Sequence, residues 1–572
     1  MLPIQIRESL VPDVVQASAR LAKAGINPWV ARSLALRGIE DPKIALGDYR
    51  IEHFAKLKGI TELSIILADA IIHKQRITVV ADYDCDGATA CVVAVTGLRA
   101  LGAIVDFVVP NRFEHGYGLT PSVVDLVAER KPKPRWIVTV DNGIASNAGV
   151  AHANHLGIGV LVTDHHLPGP TLPDAAAIVN PNQPGCLFPS KNLAGCGVMY
   201  YVLAATQVVL IQRNALPDRP VLADWLDIVA LGTVADVVKL DANNRWLVRQ
   251  GLARIRQGIT RPGVAALFDV SGREFSRATG QDFGFSLGPR INAAGRLKDM
   301  SIGIQCLLAE GTAEAHALAK QLFELNEERK NIEGVMKEEA IEEIDLSGQE
   351  GRFTRVVYGD TFHEGVIGIV AGRIKEEANT PVIVFAPAKE DDLIKGSARS
   401  IPGLHLRDAL DVVHKRDDSI MVKFGGHAMA AGLTIHKAKY PLFCALFEKA
   451  VKEMMGGRLQ QKVLVVDGEL PPEAFDVQTA GSFSDEVWGQ GFEEPVWVGE
   501  FRVKDARLIG KDPDPAKQHL KMQVALGDKT FDAIQFRSQD IPTSGRVRLA
   551  YKLSLNEFRG IQSPQLMIVD KD

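Results

Sequence analysis

The segment of residues 77–90, ITVVADYDCDGATA, decides how the rest of the chain is interpreted. A β-branched apolar run leads into three aspartates at alternate positions, Asp82, Asp84 and Asp86, which a glycine and a helix-compatible run follow. If the strand continues into the acidic stretch, its two-residue period turns the three carboxylates to one side, at the sheet edge where open α/β folds bind ligands. Because like charges at this spacing repel each other, the stretch predicts a bound divalent cation.

The length and composition predict a globular protein of several domains. The chain has 572 residues, of which 46% are hydrophobic and 24% charged, enough for about three or four domains. The net charge of -5 excludes a uniformly basic nucleic-acid binder but allows a local positive groove. We find no secretory signal, no long apolar span and no CxxC pair among the six cysteines, so we expect a reduced, cytoplasmic, monomeric protein away from membranes.

Short apolar runs alternate with helical stretches after residue 57, which favours a mostly parallel sheet covered on both faces. The predicted strands span residues 77–81, 104–109, 136–140, 160–163 and 177–179. The third runs into Asp141-Asn142-Gly143, and the fourth runs into Asp164-His165-His166. Since the carboxyl ends of parallel strands meet at one edge, these polar groups should converge there.

Further acidity comes from the apolar helical run of residues 224–238, which contains Asp236. A single aspartate at the end of a strand is most simply the N-cap of the following helix, and a buried carboxylate needs a partner. Four separate segments with carboxylates or imidazoles instead favour a metal centre. An all-oxygen shell would suit Ca²⁺ or Mg²⁺, whereas histidine shifts the preference toward Mn²⁺ or another transition metal, and more than four ligands suits two ions used for phosphoester hydrolysis.

Four motifs, DYDCDGATA, VDNGI, TDHH and GTVADVV, resemble those of the DHH phosphoesterase family. Four more, LGPRINAAGRL, HEGVIGIVAGRIKE, SARS and GGHAMAAG, are similar to its single-strand-specific 5′-to-3′ DNA exonucleases. The resemblance implies one or two Mn²⁺ or Mg²⁺ ions bound by Asp84, Asp86, Asp141, His165 and Asp236. It places Asp82, Asp164 and His166 beside them, as catalytic groups that orient ligands or the scissile phosphate.

Other motifs predict contacts to the substrate. The loop of residues 110–118, PNRFEHGYG, offers a cation, aromatic rings and glycines for bases and phosphate. Arg290 and Arg296 lie among small residues and need an anion, either a carboxylate of the chain or a phosphate. The resemblance favours phosphate contacts for Arg112 and Arg290.

A second set of polar groups predicts a pocket for the 5′-terminal phosphate. The segments IKGSARS and FGGHAMAAG contribute hydroxyls, an arginine, a histidine and backbone amides, which can hold a phosphate. With the resemblance, the candidates are Ser397, Arg399, Gly426 and His427. We expect such a pocket near the metals to set the polarity of digestion.

The predicted fold class is α/β, with five segments in order. We expect an N-terminal helical segment at 1–52, a parallel-sheet DHH catalytic domain at 53–310, a long connecting helix at 311–347, a smaller α/β DHH-associated substrate-binding domain at 348–458, and an OB-fold β-barrel at 459–572. From residue 501 onward, thirteen Lys or Arg stand against nine Asp or Glu. With Phe531, Phe536, Tyr551 and Phe558, this favours single-strand binding, unless these rings form the barrel core.

The leading hypothesis is a metal-dependent exonuclease that hydrolyses single-stranded DNA from the 5′ end and releases 5′-mononucleotides. The alternatives are a DHH phosphodiesterase for short oligoribonucleotides or cyclic dinucleotides, and a non-catalytic single-strand-binding scaffold. The extra barrel argues against the first alternative, and the intact set of acidic and imidazole residues argues against the second. The resemblance further implies a role in DNA recombination and repair, with single-strand-binding protein and a RecQ-type helicase as partners.

Overall fold

The computed structural model describes residues 1–112, 114–216, 218–348, 351–459, 461–510, 518–538, 540–542 and 545–572. The chain forms two compact units. Unit 1 consists of Met1–Gly295, Asp299–Leu322 and Val463–Asp572, and unit 2 consists of Arg296–Lys298 and Phe323–Lys462.

The secondary structure of the described residues alternates strands and helices over much of the chain. The strands are β1 (Ile4–Ile6), β2 (Arg76–Ala81), β3 (Ile104–Val108), β4 (Trp136–Val140), β5 (Gly159–Thr163), β6 (Ala177–Val179), β7 (Arg355–Tyr358), β8 (Val382–Pro387), β9 (Leu393–Arg399), β10 (Met421–Gly426), β11 (Ala430–His436), β12 (Leu464–Val466), β13 (Trp497–Ile509), β14 (His519–Leu526), β15 (Lys529–Gln535), β16 (Gly545–Phe558) and β17 (Ile561–Lys571). The α-helices are α1 (Val14–Lys23), α2 (Pro28–Leu36), α3 (Pro42–Leu46), α4 (Ile60–Ile72), α5 (Cys85–Ala100), α6 (Pro121–Ala128), α7 (Asn147–His155), α8 (Gly195–Gln212), α9 (Leu226–Ala235), α10 (Ala242–Arg256), α11 (Pro262–Val270), α12 (Gly280–Asp282), α13 (Gly288–Leu297), α14 (Ser301–Leu308), α15 (Thr312–Leu346), α16 (Ile367–Ala378), α17 (Leu406–Arg416), α18 (Tyr440–Met454) and α19 (Val477–Asp485).

A five-stranded parallel sheet in the order β3-β2-β4-β5-β6 forms the centre of the catalytic part of unit 1. Its strands agree with the predicted ones to within one residue at each end. One face packs on α6 and α7 through Val80, Ile137 and Val160, while α4, α5 and α8 also contact the strands. Since the apolar runs are buried on both sides, the polar groups that follow them are confined to the strand ends.

One helix among the described residues, α8, is long and apolar enough to cross a membrane, and 72% of it is buried within the fold. It packs against α5 and α4. Its composition therefore fits a core helix of the α/β domain.

The N-terminal segment contains a strand that the sequence analysis did not predict. Ile4–Ile6 pairs in parallel with Leu464–Val466, just before the C-terminal barrel. Next to this pair, Asp467 accepts hydrogen bonds from the guanidinium groups of Arg7 and Arg37, and all three residues belong to unit 1. A three-residue strand whose partner lies some 460 residues away leaves no periodic pattern in the local sequence.

The C-terminal barrel is closed, with strand order β13-β14-β15-β17-β16, as the OB-fold prediction requires. The segment VLVVDGEL forms β12 outside the barrel and pairs with β1 instead. Phe531 and Tyr551 are buried against Phe475 and belong to the core, whereas Phe536 and Phe558 are exposed. Two of the four aromatic side chains considered for single-strand binding are therefore part of the barrel core.

Unit 2 contains a mixed sheet in the order β10-β11-β9-β8-β7. Strands β7 and β8 are parallel, and the other neighbours are antiparallel. The long helix α15 begins in unit 1 and continues into unit 2, where Met336 and Ala340 join the core beside α16. This unit is the smaller α/β domain that the sequence predicts.

Candidate metal centre

The three aspartates of the DYDCD motif are not delivered by a continuing strand. Strand β2 ends at Ala81, and Asp84 is the N-cap of α5, with its Oδ1 accepting from the backbone amides of Asp86 (2.9 Å) and Gly87 (3.0 Å). The expected alternation along a strand is therefore wrong, because the capping bonds turn the chain into a helix. The turn still brings Asp82 and Asp84 close to Asp141.

Asp141 follows the end of β4, and the segment Asp164-His165-His166 follows the end of β5. Asp141 has a left-handed backbone (φ 62°), an uncommon conformation for a residue other than glycine. Its Oδ1 lies 3.0 Å from Nε2 of His165 and 3.9 Å from Nδ1 of His166. Asp164 holds this neighbourhood together, since its carboxylate accepts from the backbone amides of Ile144, His165 and His166.

Asp86 is buried and its carboxylate lies at the N-terminus of α8. The backbone amides of Gly195 and Cys196 donate to its two oxygens, a position that favours a negative charge. Glycine is required here, because a Cβ on Gly195 would lie 2.6 Å from Cβ of Asp141, and one on Gly232 would lie 2.1 Å from Oγ1 of Thr89.

Asp236 caps the C-terminal end of α9, the helix that the sequence predicts around it. Its Oδ2 lies 3.4 Å from Nε2 of His165, and Oδ2 of Asp86 lies 4.0 Å from the same nitrogen. The next residue, Val237, is left-handed (φ 60°) although it is β-branched. Such strain is common at functional sites, and here it ends the helix directly after the carboxylate.

The side chains converge in three overlapping groups whose candidate ligand atoms lie within 4.8 Å of one another. The groups are Asp141, His165 and His166; Asp86, His165 and Asp236; and Asp82, Asp84 and Asp141. Three buried atoms at the centre have no hydrogen-bond partner among the described residues: Asp141 Oδ1, His165 Nε2 and Asp236 Oδ2. Buried polar atoms that face each other without partners are costly, and a divalent cation would satisfy all three. The carboxylate oxygens suit Mg²⁺ or Mn²⁺, and the imidazole shifts the preference toward Mn²⁺.

The electrostatics of the site favour a bound cation. Burial and the neighbouring carboxylates raise the pKa of Asp141 and of Asp236 well above the usual range. Burial and the charge of Asp84 raise the pKa of Asp82 to about 8. Burial and the charge of His166 lower the pKa of His165, so its imidazole is neutral and has a lone pair for a metal.

His166 has a different environment from His165. Burial lowers the pKa of His166, but the 2.8 Å hydrogen bond from its Nδ1 to Oδ1 of Asp164 outweighs this and raises the pKa to about 9. Burial would raise the pKa of Asp164, yet the same bond lowers it overall. The hydroxyl of Tyr117 lies 3.3 Å from Nε2 of His166. His166 is therefore an oriented cation beside the ligands at neutral pH.

Of the two arginines predicted to contact phosphate, one lies next to the acidic motif and the other is bonded to the turn that precedes its helix. The guanidinium of Arg112 stacks over the ring of Tyr83, 4.4 Å from its centroid, and Tyr83 lies between Asp82 and Asp84 in sequence. Phe113, in the same predicted loop, lies outside the described residues. The guanidinium Nη1 of Arg290 donates to the carbonyl (2.7 Å) and the hydroxyl (3.1 Å) of Ser286.

Unit 2 brings together the four residues predicted to hold the terminal phosphate. In the sheet, Gly426 pairs with Ala431 and Ser397 with Gly432, so the ends of β9, β10 and β11 are neighbours. Nη1 of Arg399 donates to Oγ of Ser397 (3.2 Å), and the amide of His427 closes the turn between β10 and β11. Burial lowers the pKa of Arg399.

A helical glycine completes this cradle of Ser397, Arg399, Gly426 and His427. A Cβ on Gly368 in α16 would lie 2.9 Å from both Nη2 of Arg399 and Oγ of Ser397. The side chains therefore approach the backbone of this helix closely. The pairing of β9 with β11 explains how these segments, about 30 residues apart, meet.

Several supporting groups were missed by the sequence analysis. Oδ1 of Asn292 accepts a 2.8 Å hydrogen bond from the backbone amide of Cys85, inside the acidic motif. The amides of Gly195 and Cys196 hold Asp86, as described above. The only local signals were the asparagine in LGPRINAAGRL and the glycines in LAGCGV, which are too common to assign alone.

A parallel sheet that gathers carboxylates and imidazoles at its strand ends, with a second α/β unit and a closed barrel, defines a DHH-type protein. Residues 76–233 match the DHH family, N-terminal domain; residues 352–453 match the DHHA1 domain; and residues 466–570 match the RecJ OB domain.

Relatives of similar length extend this match over the whole chain. The chain is 46% identical to the single-stranded-DNA-specific exonuclease RecJ of Salmonella typhimurium (96% of each chain covered) and 45% identical to that of Escherichia coli (99% and 98%). The chain belongs to the RecJ family. Among solved structures, it is similar to RecJ of Thermus thermophilus in complex with Mn²⁺, with TM-score 0.81, 28% identity and coverage of 100% and 79%, and in complex with Mg²⁺, with TM-score 0.76, 27% identity and coverage of 99% and 78%.

Proposed function

We propose that this chain is a metal-dependent exonuclease that hydrolyses single-stranded DNA from its 5′ end and releases 5′-mononucleotides, in DNA recombination and repair. The observation that carries the chemistry is the convergence of Asp141 Oδ1, His165 Nε2 and Asp236 Oδ2, all buried and without a hydrogen-bond partner among the described residues. The observation that supports the substrate is the 45–46% identity to RecJ proteins named for single-stranded DNA over nearly the full length.

The metal-binding residues in this proposal are five of the seven residues whose donor atoms converge. One or two Mn²⁺ or Mg²⁺ ions would be held by Asp84, Asp86, Asp141, His165 and Asp236. When bound, such ions activate water and neutralise charge on the phosphate. The α8 amides fix the direction of the Asp86 carboxylate, and the amide of Cys196 donates to it at 3.1 Å.

The catalytic positioning residues are Asp82, Asp164 and His166. Asp164 orients His166 through the 2.8 Å bond, which raises the pKa of His166 to about 9 in the metal-free chain. A cation at this position can donate a hydrogen bond to a non-bridging oxygen of the scissile phosphate. Asp82, whose Oδ1 accepts from the amide of Tyr83, would orient the ligands and the scissile phosphate beside Asp84 and Asp141.

The remaining binding roles fall to the basic and small residues of each unit. In unit 1, Arg112 and Arg290 would contact the backbone phosphates. In unit 2, the cradle of Ser397, Arg399, Gly426 and His427 would receive the 5′-terminal phosphate, which is the basis for the proposed polarity.

The barrel is the proposed platform for the longer strand. Its strands carry basic residues, and Phe536 and Phe558 are exposed for stacking on bases. A small soluble dinucleotide needs no such platform, so the barrel disfavours that alternative. Single-strand-binding protein and a RecQ-type helicase are the proposed partners of a cytoplasmic monomer.

The test is digestion of strands labelled at either end, single or double, with Mn²⁺ or Mg²⁺. We expect degradation of single strands from the 5′ end and loss of activity with a chelator. Attack from the 3′ end, or cleavage that survives chelation, would contradict the proposal. Asp84→Ala separates an enzyme from a scaffold, because an enzyme keeps DNA binding and loses hydrolysis while a scaffold is unchanged; Asp125→Ala, on the exposed face of α6, is the control.

A further inference from the structure

Phe285 is an aromatic side chain that the fold leaves in water. Its relative exposure is 84%, whereas Phe283 on the same turn is fully buried. Both belong to the π-helical turn Phe283–Leu287, which leads into α13. Turns of this kind are rare and occur frequently at functional sites. The turn therefore anchors itself with one ring and presents the other.

The turn is held against the helix end that carries Asp236. A Cβ on Gly284 would lie 3.6 Å from Cγ1 of Val234, and one on Gly288 would lie 3.0 Å from Cβ of Ala235. Asp236 is the next residue along the chain. The start of the turn is thus fixed to one ligand-bearing segment of the metal centre.

The helix after the turn is fixed to another such segment. Oδ1 of Asn292 accepts from the amide of Cys85, and a Cβ on Gly295 would lie 2.1 Å from the carbonyl oxygen of Tyr83. Both contacts fall within the DYDCD motif. The two ends of this stretch are therefore fixed beside two different ligand-bearing segments of the metal centre in unit 1.

Arg290, which we propose above to contact a backbone phosphate, is bonded to the same turn. Its guanidinium donates to the carbonyl and hydroxyl of Ser286, the residue after Phe285. An exposed ring and a guanidinium bound to the neighbouring residue match the two parts of a nucleotide, a flat base and an anionic backbone. Sequence-tolerant single-strand binding uses this combination.

We propose that Phe285 stacks on a nucleobase of the single strand while the backbone beside that base is held for hydrolysis. The inference rests on the proposed function and deepens it by naming a residue that binds the base. Phe285 contributes to binding of the substrate and leaves the chemistry at the metal centre unchanged. Its loss therefore raises KM and has little effect on kcat.

The experiment compares Phe285→Ala with Leu187→Ala, whose side chain is 82% exposed in unit 1 outside the metal centre. Both are assayed on a single-stranded oligonucleotide and on a matched strand whose bases are replaced by abasic sites near the 5′ end. We expect Phe285→Ala to raise KM about 5- to 150-fold on the normal strand, the range that one stacked base provides. On the abasic strand, the KM of Phe285→Ala should equal that of the wild type. Phe285→Trp should keep the wild-type KM on the normal strand, and Leu187→Ala should leave KM unchanged on both strands.

The possible outcomes distinguish failure of the stacking role from failure of the proposed exonuclease function. If the wild type degrades the normal strand but Phe285→Ala keeps its KM, or loses the same factor on both strands, the stacking role is overturned and the exonuclease assignment stands. If the wild type degrades neither strand, the proposed function fails and the stacking role fails with it. An unchanged melting temperature for Phe285→Ala is expected, since the ring packs on little, and a large drop would overturn the inference in favour of a structural role.

Discussion

Asn292 and Cys85 are joined by a 2.8 Å hydrogen bond across 207 residues of chain, from the backbone amide of Cys85 to the side-chain oxygen of Asn292. Cys85 lies between two proposed metal ligands, Asp84 and Asp86. The bond fixes the turn that aims both carboxylates. Groups that orient ligands in this way are worth a large share of metal affinity although they never touch the ion.

Asn292→Ala should therefore weaken Mn²⁺ binding about 10- to 100-fold and lower activity at limiting metal. Excess Mn²⁺ should restore much of the activity, because the ligands themselves remain. Calorimetric titration with Mn²⁺ measures the change. Asn154→Ala is the matched control, since Asn154 is exposed and its side chain bonds to the carbonyl of Asp174. Equal affinity in the two variants would contradict the role of Asn292.

Gly195→Ala should abolish activity through sterics alone. The added Cβ would lie 2.6 Å from Cβ and 2.9 Å from Cα of Asp141, so Asp141 or the start of α8 must move. We expect at least about a hundredfold loss of kcat/KM, since a misplacement of about 1 Å is that costly. Gly334→Ala is the control, because its Cβ meets nothing within 4 Å and alanine favours the helix. Normal activity in Gly195→Ala would show that the site adapts.

Metal binding should release protons. In the metal-free chain burial and repulsion raise the pKa of Asp141 and of Asp236 well above the usual range and that of Asp82 to about 8, so ionisation of these carboxyl groups is disfavoured until a cation binds. The folded chain binds these protons more tightly than the unfolded chain does. Without metal, the stability of the fold therefore falls as pH rises through the folded pKa values of these groups. At a pH below the pKa of a carboxyl group, Mn²⁺ must displace its proton. For each proton displaced, Mn²⁺ affinity should rise about tenfold per pH unit.

Titrations of Mn²⁺ in buffers of different ionisation enthalpy count the released protons. Melting temperatures between about pH 6 and pH 9 give the second measurement, and stabilisation by Mn²⁺ should grow over this range. Affinity that stays constant with pH would show that the carboxylates are already ionised without metal.

The sheet, and the convergence of polar groups at its edge, could be predicted because both depend on local patterns. Strand ends such as Val140 and Thr163 follow continuous β-branched runs, and parallel pairing then brings Asp141 and His165 to one edge without further information. The prediction failed at Asp84, where the capping bonds to the next turn ended the strand. Local competition between strand and cap is decided by geometry that residue types alone do not specify.

Long-range support could not be predicted for a different reason. The partners of Cys85 and of β1 lie hundreds of residues away, and an asparagine or a three-residue strand carries no mark of its partner. The cradle of unit 2 could be predicted in part, since its residue types are visible in the sequence and its packing is not. The chemistry of Ser397 and Arg399, together with the family resemblance, predicted a phosphate pocket, but their proximity to Gly368 follows from the packing of α16 on β9.

A buried ion pair gives a last prediction, on stability. Glu486, just before the barrel, accepts a 2.9 Å bond from Arg245 of α10 and a further bond from Arg249, and all three lie in unit 1. Burial would raise the pKa of Glu486, but the two guanidinium groups lower it overall. A depressed folded pKa contributes stability above the unfolded pKa, about 4.3, and this stability is lost as pH falls through the folded value.

Glu486→Gln should therefore lower the free energy of unfolding by about 3–5 kcal/mol at about pH 7, because it leaves Arg245 buried without a counter-charge. The difference from the wild type should begin to shrink as pH falls below the unfolded pKa of about 4.3, because the unfolded wild type then takes up a proton that the folded protein still excludes. Denaturant unfolding at about pH 7 and about pH 3.5 measures both values. Glu274→Gln, which changes an exposed partner of Arg277, is the control and should leave stability unchanged. A Glu486→Gln deficit that is the same at both pH values would show that the pair contributes packing without charge.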